Sequence, residues 1–229
     1  MSFLKDIKGQ IKNKSIRQLV ANFRTEYISD GIDEANMSND PILQFEIWFN
    51  EAVKNKIPEP NIMHLSTVSL DCKPSGRVLL LKGFDEKGFV FYTNYDSRKG
   101  TDLKNNANAS MTFLWIELYR QVRIEGKVEK ISAEESDQYF HSRPRGSQIS
   151  AVASSQSSII ENRKVLEEKV KELEKEYESK PVPRPENWGG YCLSPVSIEF
   201  WQGRASRLHD RILFTLEKNN NWIKQRLAP

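Results

Sequence analysis

Two arginines bracket a histidine in the segment Arg207-Leu208-His209-Asp210-Arg211. Side chains alternate between the two faces of an extended strand. Arg207, His209 and Arg211 would then share one side, and Leu208 and Asp210 the other. Flanking positive charge favours a neutral imidazole, which can accept a proton or hydrogen-bond a substrate oxygen near neutral pH. Trp201 lies upstream at the same parity, with Gly203 able to break the register. An aromatic ring beside several cations suits a flat, anionic ligand; a solvent-facing polar strand is the alternative.

Four other segments could hold anions. Ser97-Arg98-Lys99-Gly100 puts two cations in the first turn of a predicted helix. The helix dipole disfavours them there unless an anion meets the free N–H groups of that turn; a solvated basic turn would read the same. Tyr139 and Arg143 are four apart on one helix face. Pro144 and Gly146 then bend the chain, which can bring Ser147 back toward them. Guanidinium, phenol and hydroxyl together suit a phosphate, and an exposed helix end is the alternative. Gln156-Ser157-Ser158 precedes a long helical pattern, with Ser157 or Ser158 as its N-cap and a second helix-terminal anion site implied. Arg77 to Lys82 is a strand with a cation at each end. Five positions separate the two, so strand periodicity alone would not give them one ligand.

These segments must be carried by a framework that the apolar pattern outlines. Asp40-Pro41 opens a helix running to about Lys54, with Ile42, Phe45, Trp48, Phe49 and Ala52 on its inner face. Strands are predicted at Ile62–Leu70, Arg77–Lys82, Gly88–Thr93, Met111–Ile116, Gln121–Ile131, Ser197–Trp201, Arg211–Leu216 and Trp222–Leu227. Helices are predicted at Ser97–Asn105, from the Ser132-Ala133-Glu134-Glu135 capping box to about Ser142, and over Ser158–Lys180. Many closely spaced strands with inserted rather than alternating helices argue for a mainly β, α+β domain or barrel. There is no GxGxxG and no GxxxxGK[ST], so neither glycine-rich route to nucleotides is present.

The 229 residues suffice for one large domain, and no run approaches the roughly 18 apolar residues of a membrane span. Two distant cysteines and three scattered histidines suggest neither a disulfide framework nor a metal site, and a cytoplasmic setting fits. Residues 1–20 carry five cations against Asp6, a net +4, which leaves −1 of the total +3 for the remainder. The body is therefore not a basic nucleic-acid-binding domain by bulk charge. We expect a basic N-terminal arm over residues 1–23 and a single domain over 24–229.

Read together, the segments resemble the pyridoxine (pyridoxamine) 5′-phosphate oxidase family. The resemblance is carried by Arg24-Thr25-Glu26-Tyr27, Arg77–Lys82, Tyr92-Thr93-Asn94 with Ser97-Arg98-Lys99, Arg120–Arg123, His141–Gln148, Gln156–Ser158, Phe200–Arg204, Arg207–Arg211 and Arg226-Leu227-Ala228-Pro229, in family order. It implies a split β-barrel binding FMN at a homodimer interface, with O2 as electron acceptor and H2O2 as product. It implies FMN contacts from Arg77, Val78, Leu79, Leu80, Leu81, Lys82, Tyr92, Thr93, Arg98, Lys99, Gln121, Gln156, Ser157, Trp201 and Arg211. It implies substrate contacts from Lys82, Tyr139, Arg143 and Ser147 at the phosphate, and from Arg207, Leu208 and His209 at the pyridine ring. Arg207 and His209 would be catalytic, and Arg24, Thr25, Glu26 and Tyr27 would form a lid. Pyridoxamine and pyridoxine 5′-phosphate would be the substrates; a flavin reductase or a non-catalytic FMN or pyridoxal phosphate binder on the same barrel are the rivals. Some positions depart from the family pattern. Ser150 and Val152 replace a commoner Gly and Trp, Ile212 and Phe214 a commoner Phe and Tyr, and Glu59 a commoner Asp.

Overall fold

The computed structural model describes residues 16–23 and 26–229. A short helix, α1 (Ile16–Asn22), lies within the stretch expected as an arm; residues 1–15, with most of the basic charge, lie outside the described residues. Helix α2 (Pro41–Lys54) starts as the sequence dictates: Asp40 Oδ1 accepts from the Ile42 and Leu43 amides at 2.8 and 3.4 Å, and Pro41 occupies the first turn.

Nine antiparallel strands follow: β1 (Ile62–Val68), β2 (Pro74–Leu80), β3 (Gly83–Asp85), β4 (Gly88–Asn94), β5 (Asn108–Trp115), β6 (Arg120–Lys130), β7 (Trp188–Gln202), β8 (Asp210–Leu216) and β9 (Trp222–Leu227). They form one sheet in the order β2-β1-β5-β6-β7-β4-β3, with β8 added on β7 and β9 on β8. The 15 residues of β7 produce the split. One edge pairs with β6 along almost its whole length. The other edge pairs with β4 from Trp188 to Leu193 and with β8 from Ser197 to Gln202. Pro195, which has no N–H to donate, falls in the gap between those two partners. The β6–β7 register also shifts there, between Glu125 and Gly126. A Cβ on Gly126 would sit 2.1 Å from the Ser194 carbonyl oxygen, so only glycine fits this bulge.

Alternation sorts each strand into a buried and an open row. Met63, Leu65, Met111, Phe113, Val122, Ile124, Ile198, Phe200, Ile212 and Phe214 fill the barrel. Phe45 of α2 plugs it, with ring centroids 5.0 Å from each of Phe84, Phe89 and Phe113. The Phe45 side chain is wholly buried, and burying a Phe contributes roughly 1.5–3 kcal/mol. A second core of Phe140, Ile149, Leu173, Val182 and Trp188 joins helices α4 (Ala133–Ser142), α5 (Arg145–Ala153) and α6 (Arg163–Glu176) to the sheet.

Several expectations need correction. The long charged helix begins at Arg163, not Ser158. Its N-cap is Asn162, whose side chain accepts from the Lys164 amide at 2.9 Å. Ser157 and Ser158 therefore cap no helix; they sit in a turn closed by Ser158 N–H to Ser155 C=O, and Ser157 has φ 73°. Helix α5 lies where the sequence implies only a bend at Pro144 and Gly146. The Pro144 carbonyl accepts from the Ser147 and Gln148 amides and so starts the next helix. The strand expected at Ser197–Trp201 is the second half of β7; its first half carries Gly189, Gly190 and Pro195, residue types that ordinarily disfavour strands. β2 ends at Leu80, which leaves Lys82 outside the strand.

No helix among the described residues is long and apolar enough to cross a membrane. No cluster of three His, Cys, Asp or Glu among them is placed to hold a metal.

Candidate active site

Helix α3 (Arg98–Asn105) places the first cation cluster. Ser97 is its N-cap, and Lys99 in its first turn is buried. The Lys99 Nζ donates to Thr93 Oγ1 (3.0 Å), Ser97 Oγ (3.1 Å) and Gln156 Oε1 (2.7 Å). Burial, reinforced by nearby Arg77, pulls this ammonium down to about 8. On β2, Arg77 faces inward: it donates to Leu65 C=O, Thr67 Oγ1 and Ser75 Oγ at 3.2, 2.8 and 2.9 Å. Burial lowers its pKa, and Asp102 and Arg98 act on it in opposite senses. Arg98, Lys99 and Arg77 thus make a partly desolvated anion grip at a helix N-terminus.

Beside this grip is a cleft of about 520 Å³ lined by Val78, Leu79, Leu80, Lys82, Tyr92, Thr93, Tyr139, Arg143, Pro144, Ser147, Gln156 and Trp188. The expected phosphate trio Tyr139, Arg143 and Ser147 is brought together here. The α4–α5 corner does this: Arg143 ends α4 with extended geometry and Ser147 lies in the first turn of α5. Tyr92 and Tyr139 stack at 3.8 Å between centroids, and the Arg143 guanidinium lies 4.7 Å over the Trp188 ring. Burial, with Tyr139 and Glu135 adding, pushes Tyr92 up to about 12, so its phenol keeps its proton. Burial also lowers the Arg143 pKa, and its buried Nη1 has no hydrogen-bond partner. A buried guanidinium nitrogen without an acceptor is costly; an anion bound in the cleft would supply one.

A second cleft, of about 530 Å³, is lined by Phe23, Glu26, Tyr27, Trp201, Arg204, Ser206, Arg207 and His209. It shares no lining residue with the first. Extended geometry does not run through Arg207–Arg211, whereas the strand expected from Arg211 is present. Ala205–Arg207 form a 3-10 turn, Ser206 and Arg207 have φ 55° and 62°, and the strand begins only at Asp210. Parity therefore does not align Arg207 with Arg211. The turn instead lets His209 fold back, so that its Nδ1 accepts the Arg204 N–H at 3.1 Å. A backbone amide can only donate, so the neutral ring carries its proton on Nε2. Trp201 and Tyr27 flank His209 at 4.6 and 5.7 Å between ring centroids. Tyr27 in turn seals Gly203, where a Cβ would meet its ring at 2.9 Å.

Gln121, Trp201 and Arg211 are direct cross-strand neighbours on β6, β7 and β8. They form one row beside the second cleft, well away in the sheet from Arg77 on β2. Leu81 is buried, Leu208 is exposed, and Ser157 lies in the turn beside Gln156. Arg24 and Thr25 lie outside the described residues. Of the departures from the family pattern, Ile212 and Phe214 are core side chains, and Glu59 is exposed. Val152 packs against the second core, and Ser150 lines a smaller cavity behind Arg143.

Four acids and aromatics have supporting roles that the sequence did not disclose. Asp102 stands four residues after Arg98, on the same helix face. Glu199 precedes Trp201 by two and so shares its face; it binds Arg211 through two hydrogen bonds at 2.8 and 3.1 Å. Trp188 underlies Arg143. Asp210 accepts from Ile32 N–H, Arg204 and Arg226, tying three distant segments behind the His209 turn.

The family profile described as pyridoxamine 5′-phosphate oxidase matches residues 49–177. The profile described as pyridoxine 5′-phosphate oxidase C-terminal dimerisation region matches residues 188–229. A pyridoxine/pyridoxamine 5′-phosphate oxidase of Burkholderia mallei (strain SAVP1) is 53% identical over 212 residues, covering 92% of this chain and 99% of that protein. One from Acaryochloris marina (strain MBIC 11017) is 51% identical over 210 residues, covering 92% and 95%. Among solved structures, PhzG from Burkholderia lata 383, in complex with tetrahydrophenazine-1-carboxylic acid, superimposes with TM-score 0.82 at 29% identity, covering 87% of this chain and 98% of that one. An FMN-binding protein of Nostoc punctiforme PCC 73102, related to pyridoxamine 5′-phosphate oxidase, shares the fold with TM-score 0.67 at 17% identity, covering 84% and 100%. With both of its sheet-bearing regions matched and half of its residues identical to those relatives, the chain belongs to the pyridoxamine 5′-phosphate oxidase family.

Proposed function

We propose that the chain is an FMN-dependent oxidase that converts pyridoxamine 5′-phosphate and pyridoxine 5′-phosphate to pyridoxal 5′-phosphate. The observation that carries this is a pair of separate anion grips at one cleft: Tyr139, Arg143 and Ser147 line it, and Arg77, Arg98 and Lys99 lie beside it, joined to its wall where Lys99 bonds Thr93 and Gln156. Two phosphorylated molecules, a cofactor and a substrate, need such a pair. When bound, FMN would supply the two-electron acceptor for oxidation at the C4′ carbon, with O2 as the terminal acceptor and H2O2 as product. Pyridoxine phosphate yields the aldehyde directly, and pyridoxamine phosphate yields an imine that water hydrolyses with loss of ammonia.

The protein's part is binding, orientation and charge. The first grip takes the FMN phosphate, with Thr93 and Gln156 fixing Lys99. Val78, Leu79, Leu80 and Leu81 line the flavin side, with Tyr92 and Lys82 at the substrate edge. Arg143 Nη1, Tyr139 and Ser147 take the substrate phosphate. The remaining expected contacts, Gln121, Trp201, Arg207, His209 and Arg211, sit at the second cleft. We place that cleft over the first cleft of a second copy, so that a homodimer completes each site. The match to a dimerisation region supports this, as do Val78 and Leu114, apolar yet 63% and 61% exposed on the sheet's open face. Arg207 then covers the pyridine ring, and His209 donates from Nε2–H beside C4′. Glu26 and Tyr27 close over it. Two unpaired cysteines fit a cytoplasmic setting.

The test is a flavin spectrum of the purified protein, followed by pyridoxamine 5′-phosphate without oxygen and then with it. Flavin bleaching, then peroxide on aeration, is the expected sequence. A colourless protein, or a flavin that substrate never bleaches, defeats the proposal; bleaching by a nicotinamide cofactor alone points to a reductase.

A further inference from the structure

We propose that Asp102 and Thr67 position Arg77, and through it set the preference of the site for a phosphorylated over an unphosphorylated flavin; this rests on the FMN reading above. Asp102 lies on α3 and is 5% exposed, and Thr67 on β1 is fully buried. The Thr67 hydroxyl has one proton to give, and it gives it to Asp102 Oδ2 at 2.7 Å. The Thr67 hydroxyl oxygen in turn accepts from Arg77 Nη1 at 2.8 Å. Arg77 Nη2 is 3.9 Å from that carboxylate oxygen, too far for a direct hydrogen bond. The carboxylate therefore reaches Arg77 chiefly through the hydroxyl, which it polarises into a better acceptor.

Charge explains why the device is needed. Arg77, Arg98 and Lys99 bring three positive charges to one helix end, and mutual repulsion would turn the Arg77 side chain away. Asp102 reduces the cluster to a net +2, the complement of a phosphate dianion. The relay holds the guanidinium in place before the anion arrives, which cuts the ordering loss on binding. Riboflavin, which has no phosphate, does not use the relay.

The experiment measures dissociation constants for FMN and riboflavin by quenching of flavin fluorescence, in wild-type protein and in Thr67→Val, Thr67→Ser and Asp102→Asn. Thr67→Val loses about tenfold in FMN affinity, the worth of one charge-assisted hydrogen bond, and leaves riboflavin binding unchanged. Thr67→Ser restores the preference. Asp102→Asn still accepts the Thr67 proton and keeps the fold, and it weakens FMN binding by about threefold. Tighter FMN binding in Asp102→Asn would mean that the carboxylate merely repels phosphate, and it would overturn the proposal. Should Thr67→Val not fold, the sign of the Asp102→Asn effect decides alone. Equal wild-type affinity for the two flavins would sink the phosphate-grip reading itself. A wild-type preference left undiminished by both Thr67→Val and Asp102→Asn would sink only the positioning role.

Discussion

Raising the pH from 7 to 9 should weaken FMN binding through one side chain, Lys99. In the empty protein burial holds this ammonium at about 8, against an ordinary 10.5. A bound phosphate within hydrogen-bond reach favours the charged form and restores the proton. The phosphate itself is already dianionic above its second ionisation near 6, so it adds no slope of its own in this range. At pH 9 about nine in ten empty sites have lost the Lys99 proton, so the apparent Kd rises roughly tenfold, or about 1.4 kcal/mol. Binding at pH 9 should then take up close to one proton. Isothermal titration of FMN into apoprotein, in two buffers of different ionisation enthalpy, measures both quantities. Riboflavin and the Lys99→Met variant should each give a flat profile. The same depressed pKa means that the unfolded chain binds more protons than the native one between pH 8 and 10.5. This group therefore adds to apoprotein stability as pH climbs through that window, and its contribution is lost as pH falls through 8. A wild-type Kd that stays constant from pH 7 to 9, or a slope that persists in Lys99→Met, would refute the reasoning.

Replacing Arg143 by Ala should raise the KM for pyridoxamine 5′-phosphate by about 30- to 100-fold with a smaller effect on kcat, because charged hydrogen bonds to phosphate contribute roughly 2–3 kcal/mol; steady-state kinetics decides, and an unchanged KM would remove Arg143 from the substrate site. Asp210→Ala should lower stability by about 1–2 kcal/mol in chemical denaturation, since it removes the acceptor of the Ile32 amide and an ion-pair partner of the half-exposed Arg204 and Arg226, the latter keeping Glu34. Burial alone would raise the Asp210 carboxyl, but hydrogen bonds from Ile32, Arg226 and Arg204 hold it below the ordinary 3.8. Its contribution is thus complete above that value and lost as pH falls through the lower, native one; an acid transition unmoved by Asp210→Asn would contradict this. Ser206→Gly should raise the melting temperature slightly, by the ~1 kcal/mol that a left-handed residue costs, while a destabilised variant would show that the turn needs the serine side chain.

What the sequence made legible was mostly local. Asp40-Pro41, the Ser132 capping box and the Ser97 cap announce their helices because each effect acts within four residues. The Tyr139–Arg143 pair was legible for the same reason, as a consequence of helical spacing. Arg207–Arg211 misled because alternation presumes an extended chain. Ser206 and Arg207 turn left-handed, supported by Asp210 and by His209 bonding Arg204, contacts that no local pattern displays. The relay from Asp102 to Arg77 crosses from α3 to β1 to β2, over sequence separations of 35 and 10 residues. Its residues look ordinary until the sheet brings them together. The first half of β7 is less legible because glycine and proline break most strands, whereas here Gly189 and Gly190 pair with β4 and Pro195 falls where the partners change.

That long strand also decides how the two active centres of the proposed pair relate. Trp188 beneath the Arg143 grip and Trp201 beside His209 stand at the two ends of β7, roughly 43 Å apart along a continuous backbone. With two-fold symmetry, one end of each β7 belongs to one reaction centre and the other end to its twin. In that proposed pair every chain would be half of two enzymes. A defect at the Arg143 end and a defect at the His209 end, carried on different chains, fall together on one centre and leave the other whole. Two inactive proteins, mixed and allowed to exchange subunits, would regain catalysis in the hybrid.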